Sequence, residues 1–512
     1  MTVNDIYLVS PQIAMAALGI LVILFDLVVT RKNWVQGFAF VGLAAPMALA
    51  LLLIFDLNSS GLSNLVPDHS VLFQSLAVDR FSLFFNFLVL AATALVILAS
   101  TDYVRRMDRN QGEYFGLLLL SATGMLLLPA ATELVTIYVS LELTTLPLAA
   151  LGAFLLTSKS TEAGIKFLII GAISSAIMLY GMALVFGFSG STTLTGIAAN
   201  FSGPAQQQVP FGSYAMLIGV ILMVVGFGFK LSSVPFQMWV PDVYEGAPTP
   251  VVAFLSVASK AAAFALVLRF FYTGFMAVEL DWGILLAVLA AASMIIGNLA
   301  AMVQTNIKRL FGYSTIAHAG YILIGMAAVA QGADITGFTT LGPSSVLFYL
   351  VAYTAANLTA FFAIILISNR VDSDQIADYA GMVRRSPFMA ASLALALIAL
   401  IGTPPTGIFI AKIYVFTAAV NSGLAWLAIL GVVNSVVSAY YYVRVIRVMF
   451  LIEPINNKAN EPAAQGRIPA SSVAKLALVL AAAATVWLGV APGMVLNAAE
   501  SAVAVLAGVA LR

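Results

Sequence analysis

Long apolar runs separated by short polar segments dominate this chain. A helix needs about twenty consecutive apolar residues to cross a bilayer. Stretches of that kind fall at roughly 9–30, 35–55, 78–101, 113–130, 132–157, 163–188, 212–240, 248–273, 282–303, 306–330, 345–369, 388–420, 424–451 and 472–491. They predict an all-α polytopic membrane protein, a single transmembrane domain over 1–512 with about fourteen helices, numbered 1 to 14 in that order. The apolar tail, 493–512, is too weak to predict a fifteenth span.

The basic residues check that count. With the N-terminus outside and the spans alternating, the inner loops and helix ends carry Arg31, Lys32, Arg105, Arg106, Arg109, Lys159, Lys308, Arg309, Arg370, Arg384, Arg385, Arg444, Arg447, Lys458, Arg467 and Lys475. The outer side keeps only Arg80, Arg269 and Arg512. This is a strong positive-inside asymmetry, which one miscounted span in the middle would scramble. Both termini are therefore expected outside. The polar inner segments 370–387 and 452–471 are the expected docking surfaces for other subunits.

Composition excludes several classes of function. Hydrophobic residues make up 62% of the chain and charged residues 9%, where soluble domains carry about a quarter charged. Such an excess of apolar surface has to face the lipid bilayer. The net charge of +1 gives no reason to expect a nucleic-acid partner. The lack of cysteine removes disulfides, cysteine-ligated iron–sulfur clusters and thiolate zinc sites. Two histidines, His69 and His318, do not make a metal or haem site alone. No glycine-rich nucleotide fingerprint stands at a strand-to-helix junction. Asp5, with no basic segment before the first apolar run, predicts a retained helix and not a cleaved signal.

Two spans contain helix breakers. Helix 7 carries Lys230-Leu-Ser-Ser-Val-Pro235 and then Pro241; helix 12 carries Gly402-Thr-Pro404-Pro405-Thr-Gly407. Proline removes a backbone donor and clashes with the preceding turn, so both helices should open. Opened backbone at membrane depth persists only where it faces protein or a wet cavity. Pro235 and Pro405 are 170 residues apart, close to the offset between the starts of helices 4 and 9. That suggests a five-helix unit, helices 4–8 over 113–273, repeated as helices 9–13 over 282–451. An odd number of spans makes the second copy inverted, the usual layout of ion pathways.

Glu142, Lys166, Lys230, Lys260 and Lys412 remain inside spans, and His318 lies in helix 10. Each ionisable group costs several kcal/mol if left unpaired in hydrocarbon, so intramembrane charge is read as functional by default. The chemistry these residue types suit is a proton relay, because burial and a nearby carboxylate push a lysine in opposite directions. Glu142, the only acid deep in a span, is the natural partner for Lys230. Lys260 and His318 then pass a proton laterally to Lys412, with water as the bridge. The structural alternatives are a snorkelling Lys166, a packing His318 and static ion pairs for the rest. Asp242 and Glu245 read as solvated loop acids, Asp26 and Asp79 as weak candidates, and Tyr440-Tyr441-Tyr442 as an interfacial belt.

The stretch Gly228-Phe-Lys230-Leu-Ser-Ser-Val-Pro235-Phe-Gln-Met-Trp239-Val-Pro241-Asp-Val-Tyr-Glu-Gly-Ala-Pro248-Thr-Pro250 resembles the antiporter-like membrane subunits of respiratory complex I. The continuation to Ser259-Lys260 is similar to subunit N of NADH:quinone oxidoreductase in particular. The resemblance runs on through Gly312-Tyr313-Ser314-Thr-Ile-Ala-His318-Ala-Gly320-Tyr321 and Gly402-Thr-Pro404-Pro405-Thr-Gly407 to Lys412, covering about residues 75–455. It implies fourteen helices, two inverted repeats, and a proton-translocating role without redox chemistry in this chain. Flavin, iron–sulfur clusters and quinone are then expected in other subunits. Glu142 looks like the family's helix 5 glutamate and Lys230 like its helix 7 partner. Lys166 looks like a modulating lysine, Lys260 like the central lysine, and Lys412 like the exit-side lysine. A subunit of a multisubunit sodium/proton antiporter is the alternative, which the Ser259-Lys260 segment argues against; a non-pumping membrane scaffold is a third.

Overall fold

Backbone groups removed from water have to be satisfied within their own segment, so apolar runs of this length become helices. The computed structural model describes residues 3–58, 70–71, 74–104, 110–201, 210–275, 282–328, 340–453 and 471–510. His69, Arg105, Arg106, Arg109, Lys458, Arg467 and Arg512 lie outside the described residues, as does most of the segment 452–471.

Helix 1 is Ser10–Val28, helix 2 Asn33–Gly42 continued by Ala44–Asn58, and helix 3 Arg80–Ala99. Helix 4 is Gln111–Leu127, helix 5 Leu134–Gly152, helix 6 Ser158–Ser189 and helix 8 Thr249–Phe275. Helices 9, 10 and 11 are Trp282–Met302, Ile307–Ala327 and Leu341–Val371, and helices 13 and 14 are Ala425–Leu451 and Ser472–Val490. Twelve described helices are long and apolar enough to cross a membrane. Helices 7 and 12, each in shorter pieces, complete fourteen. The tail forms a further helix, Gly493–Ala510, laid against helices 3 and 11.

Both expected breaks are present. Helix 7 runs Pro210–Leu231, unwinds, and resumes as the short helix Val240–Gly246; helix 12 runs Pro387–Ile401 and resumes as Gly407–Asn421. The freed carbonyls find side-chain donors: Trp239 Nε1 donates to Phe229 O at 3.1 Å, and Lys412 Nζ to Ile401 O at 2.8 Å. Helix 8 is π-helical over Leu255–Ser259, immediately before Lys260. Such bulges are often found at functional sites.

Helices 8, 10 and 11 form the buried axis of the molecule, whereas helices 1, 2, 6, 13 and 14 turn most of their residues outward. Small residues let the inner backbones approach. A Cβ on Gly297 would stand 2.6 Å from the Ala317 nitrogen, so helices 9 and 10 touch there with no room for a side chain. A small cap covers one end. Strand β1 (Ser70–Val71) pairs antiparallel with β2 (Leu76–Ala77), and Leu76 bridges to Ala131 after helix 4. The short helix Leu194–Phe201 packs on the end of helix 8.

Candidate functional site

Burial comes first, because it decides how much each charged group needs a partner. Lys230, Lys260, His318 and Lys412 are 8%, 3%, 2% and 5% exposed. Glu142 and Lys166 are half-buried.

Helix 5 presents Glu142 and Thr145, three residues apart and so neighbours on the helix surface. Lys230, in the last turn before the helix 7 break, donates through Nζ to Thr145 Oγ1, and Ser175 of helix 6 donates through Oγ to Glu142 Oε1. No ion pair within 4.0 Å joins Glu142 to Lys230 among the described residues. The two groups interact through their charges and not through a direct hydrogen bond. Each group takes a hydroxyl partner, because Ser175 occupies the carboxylate and Thr145 meets the ammonium.

Lys166 lies elsewhere. It pairs with Glu162 and Asp242, both at 2.7 Å. Nine residues separate it from Ser175, about 13 Å along helix 6. Asp242 also takes Arg309 at 2.7 Å, and Arg309 reaches Glu245 at 3.2 Å. Asp242 and Glu245 are therefore not free loop acids. They anchor the short helix after the helix 7 break to helices 6 and 10.

Lys260 donates to the Thr315 carbonyl at 3.1 Å. Thr315 Oγ1 lies 2.9 Å from Tyr353 Oη, and the Tyr353 ring sits 5.1 Å from the His318 ring. His318 Nδ1 is 3.0 Å from Tyr349 Oη, and Nε2 is 3.4 Å from Tyr442 Oη. Tyr442 also meets Ser314 Oγ and the Tyr441 hydroxyl. Tyr441 donates to Asn298 Oδ1 at 3.0 Å. At the far end Lys412 donates to Ser435 Oγ at 3.0 Å and stands 4.4 Å over the Tyr321 ring. Ser435 in turn donates to Tyr321 Oη at 3.3 Å. Protein hydroxyls and an amide thus line the interval from Lys260 to Lys412. Within the aromatic run only Tyr440 faces outward, at 58% exposed; Tyr441 and Tyr442 are fully buried and belong to this row.

Arg269 is a second correction. Counted only as an outer-side charge, it is buried in helix 8 against Asp79, with both carboxylate oxygens 2.8 Å from one guanidinium nitrogen. Sequence reasoning missed these partners because tyrosine, serine and threonine carry no charge signal. Their spacing is nevertheless readable: Ser314, His318 and Tyr321 recur at helical spacing on helix 10, as do Tyr349, Tyr353 and Asn357 on helix 11. Among the described residues, no group of three or more His, Cys, Asp or Glu is placed to hold a metal ion.

The family model described as NADH:quinone oxidoreductase/Mrp antiporter, TM, matches residues 131–438, more than half of the chain. NADH-quinone oxidoreductase subunit N of Dehalococcoides mccartyi is 40% identical over 97% of this chain and 98% of its own length. The Moorella thermoacetica subunit N is 42% identical over 88% and 90%. Among solved structures, a chain of respiratory complex I from Thermus thermophilus superposes with a TM-score of 0.75 at 29% identity, covering 95% of this chain and 98% of that one. A chain of the Mrp complex from Dietzia reaches a TM-score of 0.82 over the full length of both, but at 19% identity this shows shared fold alone. The apolar helices and the family match make this an integral membrane protein. The chain belongs to the subunit N family of NADH-quinone oxidoreductases, within the wider group of complex I and Mrp antiporter-like membrane subunits.

Proposed function

We propose that this chain is a proton-translocating membrane-arm subunit of an NADH:quinone oxidoreductase, coupled to quinone reduction carried out by other subunits. One observation carries the reading: Lys230, Lys260, His318 and Lys412 are buried on helices 7, 8, 10 and 12, with hydroxyl and amide groups between the last three. Buried ionisable groups in such a row suit proton transfer, since each is expensive to keep as a purely structural charge. The names and near-complete coverage of its relatives support other membrane-arm subunits as its partners.

In this reading the units 113–273 and 282–451 are inverted copies, and both termini face the outer side of a bacterial plasma membrane. The parallel breaks at helices 7 and 12 support the repeat, as do the similar lengths of helices 6 and 11, 32 and 31 residues. Glu142 and Lys230 act as the gate. Ser175 and Thr145 hold the two groups in place, and opening or closing the Glu142–Lys230 interaction would change the charge seen by Lys260. Lys260 and His318 move the proton laterally to Lys412. Lys166 keeps the base of helix 6 tied to Asp242 and so limits how the gate moves.

The test is Lys260→Ala in the assembled complex, with proton pumping and quinone reductase activity measured together. Loss of pumping with slowed turnover is expected. Unchanged pumping and turnover at normal assembly would sink the relay.

A further inference from the structure

The relay leaves one buried ion pair unused. Arg269 and Asp79 have side chains only 3% and 5% exposed, paired at 2.8 Å. Arg269 also donates through Nε to the Pro129 carbonyl, and its guanidinium lies 5.0 Å from the centre of the Phe81 ring. Asp79 meanwhile caps helix 3 by accepting from the Ser82 backbone. A single side chain on helix 8 therefore fastens the start of helix 3 and the turn that follows helix 4. Burying such a pair is favourable only with good geometry and further hydrogen bonds; here Asp79 also accepts from Ser82, and Arg269 also donates to Pro129 O.

The same end of the molecule is covered from above. The Leu76–Ala131 bridge closes the hairpin onto the turn after helix 4. Leu194 N–H donates to Thr132 O, and the helix that begins there packs over Phe271–Phe275. Below the pair helix 3 carries a short row of buried polar residues among apolar ones. Asp79, Ser82 and Asn86 recur at helical spacing on helix 3, which packs against helix 8. Asn86 is 1% exposed and neither atom of its amide has a hydrogen-bond partner. A buried amide without a protein partner calls for a water partner. Lys260 is nine residues from Arg269 on helix 8, about 13 Å along the axis. The Asn86 amide, seven residues from Asp79 on helix 3, is thus one buried polar group at this end that has room for a water partner only.

We propose that the Arg269–Asp79 pair is the outer seal of the first five-helix unit, closing the lysine relay to the outer aqueous phase so that protons leave only by way of Lys412. A fixed guanidinium excludes hydrated protons from a narrow polar passage, and the clamp on helices 3, 4 and 8 keeps that passage shut. This inference rests on the relay and the sidedness proposed above.

The experiment uses the purified complex in liposomes, without electron donor, and reads passive proton flux after an acid jump with a trapped pH dye. Arg269→Met is expected to raise that flux several-fold over wild type, and adding Lys260→Met to suppress the increase. Arg269→Gln keeps the test open if Arg269→Met does not assemble, because its carboxamide still donates to Asp79 while the guanidinium charge is gone. Tight vesicles with every assembled variant would overturn the seal. A leak that survives Lys260→Met would overturn it too, since general loosening does not run through the relay. The redox-free readout keeps the two ideas apart: intact pumping in Lys260→Ala defeats the relay, whereas tight Arg269→Met vesicles beside Lys260-dependent pumping defeat the seal alone.

Discussion

Replacing Gly402 by alanine should disable Lys412 while leaving the lysine in place. Gly402 ends the first half of helix 12 at φ +89, a left-handed conformation that costs a residue with a side chain roughly 1–2 kcal/mol. The new Cβ would stand 2.8 Å from Lys412 Cδ and 3.3 Å from both Cε and Nζ. The lysine stem is flexible, so it yields before the backbone does. Yielding pulls Nζ from Ile401 O at 2.8 Å and Ser435 Oγ at 3.0 Å. Hydrogen bonds to a charged group contribute about 1.5–3 kcal/mol each. Losing one shifts the position of the ammonium by roughly ten- to a hundredfold in equilibrium terms. Gly423 provides the control: its φ is +77 and nothing lies within 4 Å of its Cβ position. Alanine there carries a similar backbone penalty but touches no charged group. With assembly followed by the amount of complex in the membrane, Gly402→Ala should lower coupled proton pumping by about an order of magnitude or more. Gly423→Ala should stay near wild type. Equal pumping by the two variants would refute the reasoning.

The remaining predictions concern the groups between the charges. Tyr442→Phe removes the hydroxyl that meets both His318 Nε2 and Ser314 Oγ; leaving a buried group unsatisfied costs about 1–3 kcal/mol. Coupled turnover should fall about tenfold by that measure, and unchanged turnover in the assembled variant would remove the Tyr442 hydroxyl from the relay. Asp242→Asn breaks the pairs with Lys166 and Arg309, but at 31% exposure of the Asp242 side chain each is worth only about 0.2–1 kcal/mol. Thermal unfolding of the detergent-solubilised complex should therefore move little, while the pumped-proton yield per quinone drops as the short helix after the break loosens. A large stability loss with a normal yield would make Asp242 a structural anchor only.

Most of the architecture is legible in the amino-acid sequence. Apolar run length determined the fourteen helices, because a backbone in lipid has no alternative to internal hydrogen bonding. Pro235, Pro404 and Pro405 mark the two breaks for the same reason: a proline cannot supply the missing donor. The candidate charges are legible too, since lysine is rare and conspicuous in an apolar span. Lys230, Lys260, His318 and Lys412 are all buried.

What the tertiary structure decided was who meets whom. Opposite charge makes Glu142 and Lys230 the obvious pair in the sequence, and packing adds Ser175 and Thr145 as their hydrogen-bond partners. Tyr441 and Tyr442 read as an interfacial belt, yet the rotation of helix 13 turns both into the core and leaves Tyr440 outside. Arg269 counts with the loops by position, while the cap over helix 8 buries it against Asp79. In each case the deciding quantity was the rotation or depth of one helix relative to its neighbours. Hydropathy averages over a turn and is blind to that, because a helix presents a different face every 100° per residue. Composition and breakers determined that this chain spans the membrane and which charges it buries; only helix packing decided which hydroxyls connect them.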